Sequence, residues 1–224
     1  MFKSLVFVSF LAVALASPID SGYVSTIEEM FNPENESAVC KEESEKFKQC
    51  FEVLKEEVQQ YSQSSDTPRF PSREEINQSI IEIRQAVECV GEVTCNKLKL
   101  TVYIMENVAY AMEQIFGEGY SCLDEQNIKA GLLICFQAEA RMEEVQAGGI
   151  EALASKMKPI AKCVSEGQDC EDKEKNAFYK GAMALADFAE VAMKVAHGVQ
   201  TEQLGYIQTF DKKFNRADFD KLEL

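Results

Sequence analysis

The chain has very little histidine and none of the common catalytic or metal-binding sequence motifs. It has one histidine, His197, among 224 residues, and a lone histidine cannot by itself form a zinc site. Gly-x-Ser-x-Gly, His-Glu-x-x-His and phosphate-loop sequences are also missing. We interpret His197 as a favourable cation near the end of a helix. The sequence therefore predicts a non-enzymatic protein with no catalytic residue, no cofactor and no metal ion.

Basic residues are scarce relative to acidic ones. The chain has 38 acidic and 23 basic residues, which gives a formal net charge of −15. Nucleic-acid binding requires a basic surface, so this composition predicts no nucleic-acid partner. The same negative field disfavours docking on anionic membranes. We interpret the acidity mainly as a device for solubility, with recognition of a basic partner as the narrower alternative.

Long apolar runs are missing after the N-terminus. Lys3 followed by the apolar stretch Leu5–Leu15, with the small residues Ala14 and Ala16, has the form of a secretory signal peptide over residues 1–16. No later stretch reaches the roughly 20 apolar residues of a membrane span. The sequence therefore predicts a secreted, extracellular protein without a membrane span.

Strand patterns are missing as well, and apolar residues recur instead at helical spacing. The fold class predicted is all-α, a disulfide-stapled bundle of about six helices built from helical hairpins. The expected helices cover about 40–61, 72–89, 96–115, 124–146, 150–164 and 172–197. Gly148 and Gly149 should stop the fourth helix, and Pro159 should kink the fifth. Residues 17–39 are predicted to be a flexible arm, 40–200 the helical domain and 201–224 a weakly ordered tail.

The third helix is apolar on more than one face, which is typical of a buried helix. Its main stripe consists of Leu98, Val102, Met105, Val108, Met112 and Ile115. We interpret this stripe as packed core. The alternative is a cavity for a small apolar ligand, because flexible methionines can line such a site.

Eight cysteines remain after the expected cleavage, an even number that should pair in an oxidising compartment. Residues placed symmetrically about the turn of two antiparallel helices lie at the same height, because each helix rises about 1.5 Å per residue. Two nested bridges per hairpin follow from this symmetry: Cys40–Cys95 with Cys50–Cys89, and Cys122–Cys170 with Cys135–Cys163. Eight cysteines allow about 105 connectivities, and a local Cys89–Cys95 bridge around Gly91 is a competing arrangement. Gly131, one turn before Cys135, could permit the close helix approach that a bridge requires.

Two Asn-x-Ser sequences mark candidate N-glycosylation sites. Asn35 lies in the expected flexible arm, and Asn77 lies on the polar side of the second helix. Both positions fit exposed segments of a secreted protein, and either acceptor can also go unused.

The N-terminal half resembles a known family. Its marks are Cys40 and Cys50 with nine residues between them, a polar linker, an acidic capped helix, and the sequence Cys89-Val-Gly-Glu-Val-Thr-Cys95. This arrangement is similar to the secreted cysteine-rich domain of unknown function that is expanded in nematodes, over about residues 40–170. The resemblance implies a signal peptide, an all-helical fold and paired cysteines, and it implies no established activity.

These observations predict a secreted, non-enzymatic helical binding or effector protein with an unidentified protein partner. The alternative is an extracellular carrier of a small hydrophobic ligand, which would occupy a cavity between helices.

Overall fold

The computed structural model describes residues 37–63, 73–123, 125–201 and 205–224. Within these ranges the chain forms nine α-helices and one 3₁₀ turn, Tyr120–Cys122. The helices are α1 Ala38–Gln63, α2 Arg73–Val90, α3 Asn96–Phe116, α4 Glu125–Glu139, α5 Met142–Ser155, α6 Met157–Glu166, α7 Asp172–Gln200, α8 Gly205–Gln208 and α9 Arg216–Asp220. The all-α, disulfide-stapled fold class is confirmed. The expected signal peptide and Asn35 lie outside the described residues.

The described residues form nine α-helices rather than the predicted six, because three helices, α4 to α6, replace the predicted fourth and fifth, and the C-terminal segment adds α8 and α9. Helix α4 ends at Glu139, and α5 begins at Met142 after Arg141 adopts an extended conformation (φ −59°, ψ 125°). Gly149 lies inside α5 at φ 61° and ψ −149°, which interrupts the regular helix there. The predicted break at Gly149 is therefore present, but it kinks α5 rather than stopping the preceding helix.

Pro159 does not kink a helix, contrary to the prediction. It is the third residue of α6, which begins at Met157. The first-turn amides of a helix have no intrahelical acceptor, so a residue without an N–H is tolerated there. Pro159 therefore lies at the start of α6 rather than in the interior of a longer helix.

The chain divides into two compact units, Met1–Val102 and Tyr103–Leu224, and the division falls within α3. The sequence predicted one helical domain over 40–200 with a separate tail. Each of the four disulfides joins two residues of the same unit. None of the described helices is both long and apolar enough to cross a membrane.

In the N-terminal unit, α1 packs against α2 as a helical hairpin. Cys50 bridges to Cys89 with 5.8 Å between Cα atoms, and Cys40 bridges to Cys95 with 5.1 Å. These are the two nested pairs that symmetry about the turn predicts, and they replace the local alternative. Gly91 follows α2 at φ 69°, a left-handed conformation that favours glycine and ends the helix.

In the C-terminal unit, α7 is the element against which most others pack: it contacts α5, α6, α8, α9 and the 3₁₀ turn. Its Gly181 permits a close approach to α3, because an added Cβ would lie 2.5 Å from Ile115 Cγ1 and 3.0 Å from the carbonyl oxygen of Ala111. Helix α4 packs against α6. The remaining nested pairs are present here, Cys122–Cys170 at 5.3 Å and Cys135–Cys163 at 5.7 Å between Cα atoms.

Gly131 does not mediate the contact between α4 and α6. A Cβ built on Gly131 would meet nothing within 4 Å, so the expectation of a close approach at this glycine is wrong. The neighbouring Leu133 and Ile134 are 61% and 63% exposed, whereas Cys135 is buried. The inward side of α4 carries Cys135 and Ile128. Gly131 shares that side by helical spacing but has no close neighbour.

Residues 205–224 pack onto α3 and α7, which differs from the weakly ordered tail expected from the sequence. Ile207 and Phe210 are each only 3% exposed. Phe214 and Phe219 pack against the buried cluster of Tyr110, Ala111 and Ala184. The aromatic residues of this segment thus bury part of their surface, which supplies the free energy that orders the segment.

Candidate binding cleft of the C-terminal unit

The last segment of the chain forms one wall of an open cleft of about 400 Å³. Helix α7 contributes Met183 and Asp187, α6 contributes Lys158, and α3 contributes Tyr103. The opposite wall is made by residues of the stretch 212–222, beginning with Lys212. The volume of the cleft falls within the range of small-molecule sites, roughly 300–1,000 Å³.

Asp187 is the buried polar group at the base of this cleft. Asp187 is 7% exposed and lies in a segment of α7 that is otherwise rich in alanine and other apolar residues. The Tyr103 hydroxyl donates a hydrogen bond to Asp187 Oδ2. The Lys158 ammonium lies 2.7 Å from Asp187 Oδ1. Both carboxylate oxygens are therefore engaged, as a buried charge requires.

The electrostatic surroundings of Asp187 contain groups of both signs. Burial raises the pKa of Asp187 above its usual range, and Glu190 adds to this, while the charges of Lys212 and Lys194 oppose it. Burial also raises the pKa of Glu190, but the hydrogen bond from Lys194 and the charges of Lys194, Lys158 and Lys212 outweigh it, so this pKa is lowered overall. Lys194 Nζ is 2.7 Å from Glu190 Oε1. Cations thus compensate both Asp187, which lines the cleft, and the nearby Glu190.

Two further lysines line the cleft from the C-terminal segment. Lys212 Nζ lies 5.8 Å from the centroid of the Tyr103 ring, a cation–π distance. Lys213 is its neighbour on the same wall. Among the described residues, neither lysine has a carboxylate oxygen within 4 Å, whereas Asp218 on that wall pairs with Lys221 at 2.9 Å.

The other part of the cleft is apolar. It is formed by Met183 of α7 with Phe214, Phe219 and Leu222 of the C-terminal segment. The Phe214 and Phe219 rings stack, with 5.6 Å between their centroids. The cleft therefore combines a charged end with an apolar end.

The cleft wall formed by the C-terminal segment is fixed to α3 by a compact set of contacts around Tyr110. Arg216 donates two hydrogen bonds to the Glu113 carboxylate, at 3.2 and 3.0 Å, and its guanidinium lies 5.3 Å from the centroid of the Tyr110 ring. The Tyr110 hydroxyl donates to Asp220 Oδ1 at 2.8 Å. Burial, and then the bond to Asp220, raise the pKa of Tyr110 well above its ordinary value, so this hydroxyl remains a donor at neutral pH.

The residues singled out from the sequence lie away from this cleft. Asn77 is exposed on α2, and the Ser79 hydroxyl of the same acceptor sequence donates to the Glu75 carbonyl at 2.9 Å. His197 lies in the last turn of α7, as expected. No group of three or more histidine, cysteine or acidic residues suited to a metal ion occurs within the described residues. The cysteines staple the scaffold and do not line the charged cleft.

Sequence reasoning missed the residues that form the cleft. One signal was present: Asp187 stands as a lone acid within Ala184-Leu-Ala-Asp-Phe-Ala189, where helical periodicity places it among apolar positions. A charge on a buried face predicts a partner. Nothing in the sequence identified that partner as Lys158, because the contact joins two separate helices.

Comparison with known protein families, with curated proteins and with solved structures finds no match for this chain.

Proposed function

We propose that this chain is a secreted, non-enzymatic binding protein, and that the cleft of the C-terminal unit is its site for a small ligand. The observation that carries the proposal is the cleft itself, with buried Asp187 paired to the partly exposed Lys158 at one end and an apolar wall at the other. A concave site with a few fixed polar groups and apolar lining is the usual form of a ligand pocket.

The engagement of Asp187 favours binding over catalysis. A general base must be free to accept a proton from a substrate. Asp187 already accepts a hydrogen bond from Tyr103 and forms an ion pair with Lys158. These contacts suit a group that positions its neighbours. They support the proposal of a non-enzymatic protein.

The cleft refines the kind of ligand. A carrier of a purely apolar molecule was the predicted alternative, with the methionines of α3 as its lining. Met112 of α3 is only 4% exposed, which favours packed core there. We therefore place the ligand against Met183 of α7 instead. The unidentified protein partner of the first prediction remains a prediction.

Secretion is part of the proposal. The four disulfides fit an extracellular protein. The signal-like sequence of residues 1–16 and the resemblance to the nematode-expanded secreted cysteine-rich domain support the same interpretation, as do the acceptor sequences at Asn35 and Asn77. Peptide sequencing of protein released by a eukaryotic host should show Ser17 as the first residue.

Calorimetric titration of the full oxidised protein with decanoate and with decan-1-ol tests the site. We expect at least one of them to bind below about 1 mM. Met183→Trp should abolish that binding because the larger ring fills the apolar end of the cleft. Tyr120→Trp introduces the same side chain at an exposed position outside the cleft lining and should leave binding unchanged. Equal affinity in the wild type and Met183→Trp would contradict the proposed site.

A further inference from the structure

We infer that the cleft selects an amphipathic anion, with its anionic head at Lys212 and Lys213 and its apolar body against Met183, Phe214 and Phe219. This inference rests on the proposed function and names the class of ligand: a small carboxylate or sulfate attached to an apolar group.

The charges of the cleft wall run against those of the whole molecule. The chain carries a formal net charge of −15, yet three lysines, Lys158, Lys212 and Lys213, line the cleft beside two acids, Asp187 and Asp218. Asp218 is further compensated by Lys221 at 2.9 Å. In an acidic protein, a local excess of cations at a concave site favours an anionic ligand.

The position of the anionic head follows from which cleft lysines already pair with a carboxylate. Lys158 already pairs with Asp187 at 2.7 Å, and its Nζ lies 3.8 Å from Glu190 Oε2. Lys212 and Lys213 have no carboxylate oxygen within 4 Å among the described residues, and both are exposed. An incoming anion thus finds its donors at the wall formed by the C-terminal segment.

Asp187 does not turn the cleft into a cation site. Its Oδ1 is occupied by Lys158, and its Oδ2 accepts from the Tyr103 hydroxyl. A ligand cation would have to displace Lys158 and leave that ammonium beside another positive charge. Because Asp187 already engages Lys158 and the Tyr103 hydroxyl, the base of the cleft does not attract an anionic head. The head therefore lies near Lys212.

The cleft offers an apolar surface for the ligand's apolar body, next to the lysines that hold its anionic head. Phe214 and Phe219 are half-buried on the Tyr110 cluster, so their remaining faces border the cleft together with Met183. A ligand with a short alkyl chain or a single ring covers these faces and removes them from water. A small inorganic anion gains no such burial, so the apolar part is required for affinity.

Three probes with one alkyl chain and different heads separate charge from hydrophobicity: decanoate, decan-1-ol and decylammonium, each below its micellar concentration. Titration of the full oxidised protein should show decanoate binding at least about tenfold more tightly than decan-1-ol, and decylammonium binding most weakly. Added sodium chloride should weaken the binding of decanoate and leave that of decan-1-ol unchanged, because the head group is exposed to screening.

The variant Lys212→Gln/Lys213→Gln should weaken decanoate binding roughly tenfold and change decan-1-ol binding less than about twofold. Lys173→Gln is a control that removes a lysine charge away from the cleft. Lys173 is 80% exposed in the first turn of α7, and its fourteen-residue separation from Asp187 spans about 21 Å of helix.

The outcomes separate the two proposals. Binding of decanoate and decan-1-ol with equal affinity, unaffected by the double variant, would overturn the anion inference and leave the cleft as a binding site. A double variant no weaker than Lys173→Gln would overturn it as well. Binding of none of the three probes would overturn the proposed function itself.

Discussion

Glu43 of α1 caps the start of α3 through Thr94. The Glu43 carboxylate accepts a hydrogen bond from the Thr94 amide at 2.9 Å and from the Thr94 hydroxyl at 2.6 Å. Its second oxygen accepts from the Cys95 amide at 2.9 Å. Cys95 is the N-cap residue of α3, since its carbonyl accepts the first intrahelical bond, from the Lys99 amide. Its own amide has no intrahelical acceptor and is satisfied by Glu43, a side chain 52 residues earlier in the chain.

This cap should make stability depend on pH in the acid range. Burial raises the pKa of Glu43, but the hydrogen bonds from Thr94 and Cys95 and the charge of Lys99 outweigh it, so the pKa is lowered overall. Between the folded and unfolded pKa values the unfolded chain binds more protons, so stability rises with pH. The contribution of Glu43 is complete above its ordinary value of 4.5 and is lost as the pH falls through the lowered one.

Urea unfolding of the wild type and Glu43→Gln from pH 3 to 7 measures this effect. The variant should lose about 1 kcal/mol at pH 7, the usual contribution of a helix cap, and much less at pH 3. Glu42→Gln is a control, since Glu42 is a neighbouring exposed acid on α1. A difference between Glu43→Gln and the wild type that stays constant across this pH range would contradict the charged cap.

The disulfide that joins α4 to α6 offers a second test. Cys135→Ala should leave Cys163 as a thiol that an alkylating reagent labels under denaturing, non-reducing conditions, because these two residues pair. Cys135→Ala/Cys163→Ala should lower the free energy of unfolding by about 3–4 kcal/mol in the chain-entropy model. Labelling of any cysteine other than Cys163 in the single variant would indicate a different pairing.

The packing of the C-terminal segment can be tested at Phe219. Its ring lies 5.4 Å from that of Tyr110, so Phe219→Ala should release the segment and speed hydrogen exchange of the amides in 210–224. Arg216→Gln should have a smaller effect, because a partly exposed ion pair contributes only about 0.2–1 kcal/mol. Lys221→Gln is a control that removes a surface pair with Asp218. Equal exchange rates in Phe219→Ala and Lys221→Gln would contradict an aromatic anchor.

The sequence predicted what depends on local periodicity and missed what depends on distant contacts. Equal rise along two antiparallel helices accounts for the pair Cys50–Cys89. Cys135 and Cys163 pair as predicted, but α5 lies between their helices, so the single hairpin turn assumed at Gly149 is not the reason. The break at Ala140 was missed because no glycine or proline marks it. The ordered tail was missed because Phe214 packs on Tyr110, more than 100 residues earlier in the chain, and helical spacing carries no information on such a contact.

The cleft was missed for the same reason. Asp187 was readable as an acid on an apolar face, but its partners Tyr103 and Lys158 come from two other helices. Lys212 and Phe214 entered the site only because the tail folds back onto α3 and α7. A charged residue amid apolar neighbours is therefore the one sequence signal that pointed to this region.

The two methionines of α3 provide the last test, because they share a predicted stripe but differ in burial. Met112 is 4% exposed, whereas Met105 is half-buried. Met112→Ala should therefore lower the free energy of unfolding by about 2–5 kcal/mol, through lost burial and a residual cavity. Met105→Ala should lower the free energy of unfolding clearly less, since part of the Met105 surface remains in water in the folded state.

Urea unfolding of both variants, with and without decanoate, also tests whether α3 lines a ligand cavity. Packed core predicts that decanoate stabilises the wild type and both variants equally, because the ligand binds at Met183. A selective loss of this stabilisation in Met112→Ala would place the ligand against α3 instead.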